Sequence, residues 1–453
     1  MATAAPIALA APAGATLYAG KFQAGLYGGS SLGDVLASGA LGNNAADLAG
    51  SILLDGVLPA GTLRDVWPEW RSAMAPNTWA VVPVATTLAQ VDPALDPALN
   101  PYSAGAAPWR GTGGQSMVLD AWNSFVPSVA PNDGRMWVTC CGGHADYAGN
   151  EHYEIDLLDE APAWVLRRRP SSNAIDGLIS LNDGQESTGL YSDGRIRSTH
   201  VYQTQCHVPG RGIFMSDNTA CYYTATGGPR KAFWVAEDGE HTVACDFSAL
   251  PIFGSFGGTC HDTTRDVLWF TRSGGLTRMG KYDPNSGAVT AHGVTDSWVG
   301  VGARMIYLPA HDLVVQFTAI NSGLVLWDPA ANTWKRSVTT SGTRPAWLAG
   351  GVTQLGNGGS AWIPHMGTIV LWNNSSSTDM LATLTPGPDA WNDPWLWGEL
   401  APNPANAVVP PAKPSSGGAA NILGKFGYLP ALNGCFLQTQ FSDDLYFYSL
   451  AAP

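Results

Sequence analysis

The stretch YLPAHDLVV, residues 307–315, contains the unit that repeats along this chain. It joins two short apolar runs through a turn that contains a proline. Proline presets φ for a turn, and β-branched residues such as valine favour strands. The same pattern occurs five more times, as APNDGRMWV (130–138), HVPGRGIFM (207–215), HDTTRDVLWF (261–270), WIPHMGTIV (362–370) and YLPALNGCFL (428–437), with Thr263 in the place of the proline in the third of these. The sequence therefore predicts six β-hairpins of one kind.

Several copies continue into a further strand and turn. GKYDPNSGAV (280–289) and LVLWDPAANTW (324–334) each end a strand in Asp-Pro, and HYEIDLLDEAPAWVL (152–166) has the same form. Aspartate can cap the turn backbone. Repeats of roughly 40 to 50 residues with four short strands are typical of propeller blades. We therefore predict an all-β chain with few helices, built as a six-bladed propeller. Seven blades are the alternative, because the interval from Pro131 to Pro209 has room for extra strands.

The amino-acid composition limits the kinds of partner that the protein is expected to bind. Of the 453 residues only 13% are charged, the formal net charge is −13, and Gly (53) and Trp (18) are abundant. Nucleic acids and anionic membrane surfaces both favour clustered Lys and Arg, so neither is expected as a partner. No run of about 18 apolar residues occurs, so no membrane insertion is predicted. Low charge with abundant Gly and Trp is typical of all-β extracellular or virion proteins.

The chain divides into three predicted regions. Residues 1–63 contain a short repeat, LGDVLASGAL (32–41) and LDGVLPAGTL (54–63), which indicates a small β-rich attachment domain; a flexible linker is the alternative. Residues 64–110 include several prolines and are predicted to form an extended connection. Residues 111–453 form the propeller. The N-terminus lacks the positive charges of a signal peptide, so we expect synthesis in the cytoplasm without one.

The stretch CCGGHADYAGNEHYEIDL, residues 140–157, is the most polar part of the first repeat. From Gly142 onward it resembles the GGGHxDYxGNExYxxDL segment of kelch-like β-propeller proteins from proteobacteria and their phages. DGRIRSTHVYQTQCHVPGRGIFM (193–215) resembles the partner segment of the same group. The likeness covers about residues 75–453 and implies a kelch-like propeller with little indication of its chemistry. The N-terminal repeat resembles short repeats that precede the receptor-facing parts of tail proteins in long-tailed phages.

The loop HADYAGNE (144–151) supplies the first candidate binding residues, His144, Asp146 and Tyr147. Two nearby carboxylates are what a glycoside hydrolase requires, and Asp146, Glu151, Glu154 and Asp156 are close in sequence. We favour a structural role, in which Asp146 and Glu151 bind backbone N–H groups, Asp156 caps a turn, and the loop holds the first blade to its neighbour through hydrogen bonds. Surface recognition ranks second and catalysis third, and we assign no catalytic residue.

Three histidines form a second candidate set. His144, His200 and His261 each precede or enter a strand near a turn. Matching positions in different blades converge on one face, so these rings would line one end of the channel. Zinc would require three or four convergent ligands. We favour hydrogen bonds to neighbouring blades instead, and we predict no metal and no cofactor. The seven cysteines include no C-x-x-C pair, so no thiolate zinc site is expected.

The tryptophan-rich stretch DAWNDPWLWGE (389–399) supplies the third candidate set, Trp391, Trp395 and Trp397. Flat amphipathic rings suit recognition surfaces and stack on sugar faces. Together with Trp298, Trp347 and Trp362 they form a set of six tryptophans in the second half of the chain. Many are expected to pack within blades, and about two of the six are expected in a binding groove.

These observations favour a structural and adhesive role in a virion. The predicted function is a bacteriophage tail-fibre or receptor-binding protein whose propeller recognises a bacterial surface glycan or protein. Its N-terminal region would bind other tail proteins, and a homo-oligomer, plausibly a trimer, would raise weak single-site affinity. One alternative is a bacterial carbohydrate-active or redox enzyme with its site on the propeller axis. The other is a phage head decoration protein.

Overall fold

A computed structural model describes thirteen segments of the chain. They are residues 67–93, 113–143, 146–171, 189–191, 193–216, 231–250, 257–271, 277–295, 304–317, 324–335, 338–348, 358–415 and 421–451. The chain divides into two compact units, Met1–Trp67 with Pro453, and Pro68–Ala452. The predicted attachment domain lies outside the described residues, and all the described strands belong to the second unit.

The described strands form six mainly antiparallel sheets, one for each copy of the sequence signature. Blade 1 contains β2 (Val126–Pro127), β3 (Arg135–Thr139), β4 (His152–Asp156) and β5 (Val165–Arg168). Blade 2 contains β6 (Gln205–Val208), β7 (Gly212–Met215), β8 (Lys231–Val235) and β9 (His241–Asp246). Blade 3 contains β10 (Thr259–Asp262), β11 (Val267–Phe270), β12 (Thr277–Tyr282) and β13 (Val289–Thr295).

The remaining blades follow the same order. Blade 4 contains β14 (Arg304–Leu308), β15 (Leu313–Phe317), β16 (Leu324–Asp328) and β17 (Thr333–Lys335). Blade 5 contains β18 (Thr340–Ser341), β19 (Gly359–Ile363), β20 (Thr368–Trp372), β21 (Leu381–Thr385) and β22 (Trp395–Leu400). Blade 6 contains β23 (Phe426–Leu429), β24 (Gly434–Leu437), β25 (Tyr446–Ser449) and β1 (Thr78–Val81).

The sheets close into a ring. One edge strand of each blade packs beside the corresponding strand of the next, in the order β2, β6, β10, β14, β19, β23 and back to β2. These six are the innermost strands, and the predicted six-bladed propeller is confirmed. The long interval of the first repeat lies between β5 and β6, and its described residues form isolated bridges rather than a seventh sheet.

Helices are few and short in the described part of the chain, as predicted. The α-helices are α1 (Glu69–Ser72) and α2 (Met117–Asp120). The 3-10 helices are Leu88–Val91, Gly114–Ser116, Pro364–Met366, Leu423–Lys425 and Pro430–Leu432. None of the described helices is long and apolar enough to cross a membrane. The six described cysteines are all free.

The repeated signature forms the turn between the first and second strands of each blade. In blade 4, Leu308 pairs with Leu313 and the turn ends at Asp312, whose φ is 51°. The matching positions Asp266, Gly367 and Asn433 also have left-handed φ. Gly, Asn and Asp tolerate this conformation better than other residues. The turn residues of the signature therefore determine where each hairpin folds back.

The ring is closed by the N-terminal strand β1, which pairs antiparallel with β25 and completes blade 6. The sequence predicts an extended connection over residues 64–110, whereas the structure places α1, β1 and a 3-10 helix within that range. The apolar run around Trp79 fills an edge that would otherwise leave backbone groups unpaired. The proline-spaced residues 94–101, on which the prediction depended, lie outside the described residues.

Candidate functional site

The loop after β3 is fastened to the segment that enters blade 2. The backbone N–H of Gly142 donates to the carbonyl of Thr199 (3.1 Å), and that of Thr199 donates to Cys140 (2.8 Å). Gly143 donates its N–H to Ser198 Oγ (3.0 Å), and Asn150 Nδ2 donates to the Ile196 carbonyl (2.8 Å). Of these bonds, the one from Asn150 belongs to the predicted loop 144–151, and all of them join blade 1 to the connection that precedes β6. His144 lies outside the described residues.

Asp146 and His200, two of the predicted binding residues, contact each other. His200 Nε2 lies 2.7 Å from Asp146 Oδ2, and the buried imidazole packs against Trp122 with ring centroids 5.0 Å apart. Gly143 makes room for this ring, because a Cβ atom there would lie 1.9 Å from His200 Cδ2. The pair therefore lies between the loop after β3 and the segment that enters blade 2. His200 is buried there, and Asp146 is partly exposed to solvent.

Tyr147 belongs to a buried polar group around Glu151. The Tyr147 hydroxyl donates to Glu151 Oε1, while Tyr153 Oη accepts a hydrogen bond from Gln115 Nε2 (3.2 Å). Burial raises the pKa of Glu151 to about 8. Its second oxygen, Oε2, has no hydrogen-bond partner in the described part of the chain. A general acid must come within reach of its substrate, and this buried carboxyl group does not.

The other two carboxylates of this stretch also have structural partners. Glu154 accepts hydrogen bonds from Trp137 Nε1 (2.8 Å) and from Arg167 Nη2 (2.6 Å). Asp156 Oδ1 accepts the N–H of Leu158 (2.9 Å), which is the turn-capping role predicted for it. All four carboxylates therefore have structural partners, but the backbone N–H partners predicted for Asp146 and Glu151 are wrong, because these two groups contact the side chains of His200 and Tyr147.

His200 and His261 do not occupy matching positions, so the expectation that they share one end of the channel is wrong. His200 lies in the connection before β6, whereas His261 lies within β10 near its hairpin turn. His261 Nε2 contacts Asp266 Oδ1 of that turn at 3.1 Å, so the favoured prediction of a bond to a neighbouring blade is wrong for His261. The residue of blade 2 that aligns with His261 is His207. The prediction failed because it aligned residues by their nearness to a turn, and each blade has turns at both ends.

Trp395 and Trp397 belong to the core rather than to a binding surface. Their exposed fractions are 0% and 5%, and Trp395 Nε1 donates to the Ala390 carbonyl (2.9 Å). Leu396 between them is 54% exposed. Side chains alternate between faces along a strand, so residues two apart share one face. The i, i+2 spacing in WLW already indicates that both indoles face the same side of β22.

Trp391 is the half-buried tryptophan of the predicted set: it packs against the core cluster of blades 4 and 5 and lines a groove between these blades. The groove has a volume of about 490 Å³ and lies where the β14–β15, β16–β17 and β21–β22 turns meet. Lys335 Nζ lies 5.7 Å from the Trp391 ring centroid. Besides Trp391, the residues that line the groove include His311, Asp312, Leu313, Asp328, Asp389 and Ala390. Sequence reasoning missed these partners because they come from two blades.

Two carboxylates of the groove, Asp312 and Asp389, are held in their ionised form. Hydrogen bonds from Arg265 keep the pKa of Asp312 below its usual value, with both contacts at 2.6 Å. A hydrogen bond from the Asn392 side chain keeps the pKa of Asp389 below its usual value. Acid-catalysed glycoside cleavage requires one carboxyl group to remain protonated. The two carboxylates are therefore suited to accept hydrogen bonds from a bound ligand.

One group of described residues has the composition of a metal site. Ligand atoms of Asp133, His207 and Glu237 lie within 4.8 Å of one another. The Arg135 guanidinium already contacts Asp133 (2.8 Å) and Glu237 (2.5 Å). His207 Nδ1 accepts the N–H of Val129 (3.3 Å), which assigns the proton of the neutral ring to Nε2. A metal would need the Nε2 lone pair, so this group fits an ion-paired contact between blades 1 and 2.

Comparison with known proteins found similar structures but no related sequence. No protein-family model and no curated protein sequence matches the chain. A Bacteroides thetaiotaomicron protein of unknown function is similar in structure, with 11% identity, coverage of 82% of this chain and 75% of that one, and a TM-score of 0.44. An auxiliary nutrient binding protein from Bacteroides ovatus has 11% identity, 75% coverage of each chain and a TM-score of 0.41.

The major Malassezia sympodialis allergen Mala s 1 is a third similar structure. It is 9% identical, the match covers 74% of this chain and 93% of that chain, and the TM-score is 0.43. At such identities and scores the likeness concerns the fold and carries no argument about function.

Proposed function

We propose that this protein is a recognition component of a bacteriophage tail, a tail-fibre or receptor-binding protein whose propeller binds a glycan on the bacterial surface. The observation that carries the glycan part is the groove between blades 4 and 5. The phage context is supported by the resemblance of residues 142–157 and 193–215 to kelch-like proteins of proteobacteria and their phages. The propeller gives such a surface a rigid base, because its strands are paired around a closed ring.

The groove combines the features that sugar binding requires. The Trp391 indole offers an apolar face for the C–H side of a pyranose ring. Asp312, Asp328 and Asp389 offer carboxylate oxygens for its hydroxyl groups, and His311 adds a ring nitrogen. A volume of about 490 Å³ lies within the range of small-ligand sites, roughly 300–1,000 Å³. The groove therefore fits one or two sugar residues of a longer chain.

Replacement of Trp391 by alanine is expected to weaken glycan binding about tenfold, which corresponds to about 1.4 kcal/mol. The loss follows from removal of the stacking face. The measurement is binding of the full chain to an array of bacterial surface polysaccharides, followed by titration of the best binder. Trp334→Ala is the matched control, since Trp334 is a half-buried indole of blade 4 that does not line the groove.

Equal affinity of Trp391→Ala and the wild type would remove the groove from the proposal. No hydrolysis is expected in the groove, because two of its carboxylates are ionised and offer no acid. Release of reducing sugar from a bound polysaccharide would therefore favour the enzyme alternative.

The phage context has its own test. Antibody against this protein is expected to label the tails of phage particles released from the strain that encodes it, as seen by electron microscopy. Label on the head would favour the decoration-protein alternative. Particles that carry no label at all would contradict a virion role, even if the glycan binding is found.

A further inference from the structure

Arg304 extends from blade 4 to the segment that enters blade 2. It is the first residue of the innermost strand β14, at the opposite end of that strand from the groove. Its Nη1 donates to Gln203 Oε1 at 2.5 Å, across a separation of 101 residues. Cys206 of β6 and Cys260 of β10 are its electrostatic neighbours. The guanidinium therefore lies beside the innermost strands of blades 2 and 3.

This cation has no counter-charge among the described residues. Burial lowers the pKa of Arg304 to about 10, so the guanidinium stays charged at neutral pH. Burial also raises the pKa of Cys206 to about 12 and moves that of Cys260 well above its usual value. Both cysteines are therefore neutral thiols and cannot balance the charge. The Arg304 side chain is half-buried, and a charge that is partly withdrawn from water without a partner is costly.

The unpaired polar atoms at this place are donors. Arg304 Nε is buried and lacks a hydrogen-bond partner in the described part of the chain. The same holds for Nε2 of Gln203, a residue that is buried. Because Gln203 Oε1 accepts from the guanidinium, its amide orientation is fixed and its NH₂ group remains available. Buried donors without an acceptor, carried by two side chains that are hydrogen-bonded to each other, are suited to bind an anion.

The side chain of Gln203 is carried by an ordered backbone. Its carbonyl accepts the N–H of Thr259 (2.9 Å), and the preceding residue, Tyr202, donates its N–H to the Trp122 carbonyl (2.9 Å). The donors on Gln203 are therefore held in place by blade 3 and by the connection before blade 1.

We propose that Arg304 and Gln203 form a binding site for the carboxylate group of a ligand at the propeller axis. The Nη1 atom of Arg304 is occupied by Gln203, which leaves the Nε and Nη2 edge. That edge matches the two oxygens of a carboxylate in bidentate geometry. The Gln203 NH₂ group provides a further donor. The site is independent of the groove between blades 4 and 5 and of the glycan proposed to bind there.

The test is thermal unfolding of the full chain in a buffer without carboxylate, titrated with acetate, glucuronate, glucose or phosphate. Acetate and glucuronate are expected to raise the unfolding midpoint by about 3 °C near saturation, whereas glucose, the neutral match of glucuronate, is not. A rise with both anions assigns the site to free carboxylates, and a rise with glucuronate alone assigns it to an acidic sugar. A rise with phosphate equal to that with glucuronate would overturn the assignment to a carboxylate.

Two variants and a control complete the test. Gln203→Glu places a carboxylate beside Arg304, so it is expected to raise the midpoint without ligand and to abolish the response to acetate and glucuronate. Arg304→Gln is expected to lose the response as well. Arg211→Gln removes an arginine that is paired with Asp266 (2.9 Å) and should keep the full response. If Arg304→Gln does not fold, Gln203→Glu decides: an unchanged response in that variant overturns the proposal.

Discussion

Replacement of Glu151 by glutamine is expected to make the propeller more stable than the wild type at pH 8, by about 4 kcal/mol. The pKa of Glu151 is near 4.5 when the chain is unfolded, and burial raises it to about 8 in the folded state. The folded protein therefore holds a proton that the unfolded chain releases between these values. Each pH unit in this window lowers the free energy of unfolding by about 1.4 kcal/mol. Glutamine carries no ionisable proton, so the variant lacks this loss.

The structure indicates why glutamine is tolerated at this position. The Tyr147 hydroxyl that donates to Glu151 Oε1 can donate equally to the amide oxygen. The other carboxyl oxygen, Oε2, has no partner in the described residues, so no bond to it is lost. The amide nitrogen that replaces it stays unsatisfied, which offsets a small part of the gain.

The measurement is urea unfolding of the wild type and of Glu151→Gln from pH 5 to pH 9. Buried histidines act in the opposite direction: burial lowers the pKa of His152 to about 4, so stability falls as the pH drops below 6.5. This contribution cancels in the difference between the two proteins, which should grow from somewhat under 1 kcal/mol at pH 5 to about 4 kcal/mol at pH 8. A difference that is independent of pH would show that Glu151 is ionised in the folded state.

Glu154→Gln is the matched control, because Glu154 is a buried carboxylate of the same blade that is paired with Arg167. Removal of a paired carboxylate leaves its partner uncompensated. This variant is therefore expected to be less stable than the wild type at neutral pH, the opposite of the result for Glu151→Gln.

The parts of the fold that depend on neighbouring residues could be predicted from the sequence. Each hairpin is specified by a short contiguous stretch, with two apolar runs and a turn that ends in Asp, Gly or Asn. The number of blades could therefore be predicted by counting these stretches. The turn role of Asp156 followed for the same reason, since its partner is the N–H of Leu158. Patterns of this kind are set by backbone geometry and are independent of the rest of the chain.

The parts that join distant residues could not be predicted in the same way. The groove around Trp391 requires residues from blade 4, and the contact of Arg304 with Gln203 spans 101 residues. Which residues meet there depends on how the blades are ordered around the axis. The burial of Trp395 and Trp397 is different: their alternation with the exposed Leu396 is a local signal. The prediction of a binding role for these two indoles was wrong, because their i, i+2 spacing in a strand places both on the buried face.

Closure of the ring by β1 leads to the second expected result, a loss of about 3 to 5 kcal/mol when Trp79 is replaced by alanine. Trp79 is 3% exposed and packs edge-on against Tyr448, with ring centroids 5.1 Å apart. Its Nε1 donates to the Asp379 carbonyl (2.9 Å). The substitution leaves a large cavity and an unpaired carbonyl in the sheet that joins both ends of the propeller.

Val81→Ala is the control on the same strand. Val81 is 44% exposed, and surface substitutions usually change stability by about 0.5 kcal/mol or less. Both variants keep the backbone pairs of β1 with β25, so the comparison isolates the buried indole.

The measurements are urea unfolding and hydrogen exchange of the β25 amides. A loss in Val81→Ala equal to that in Trp79→Ala would assign the closure to backbone pairing alone. A large loss confined to Trp79→Ala, with faster exchange in β25, would show that the buried indole holds the first strand against the last, because loosening β1 exposes the edge of blade 6.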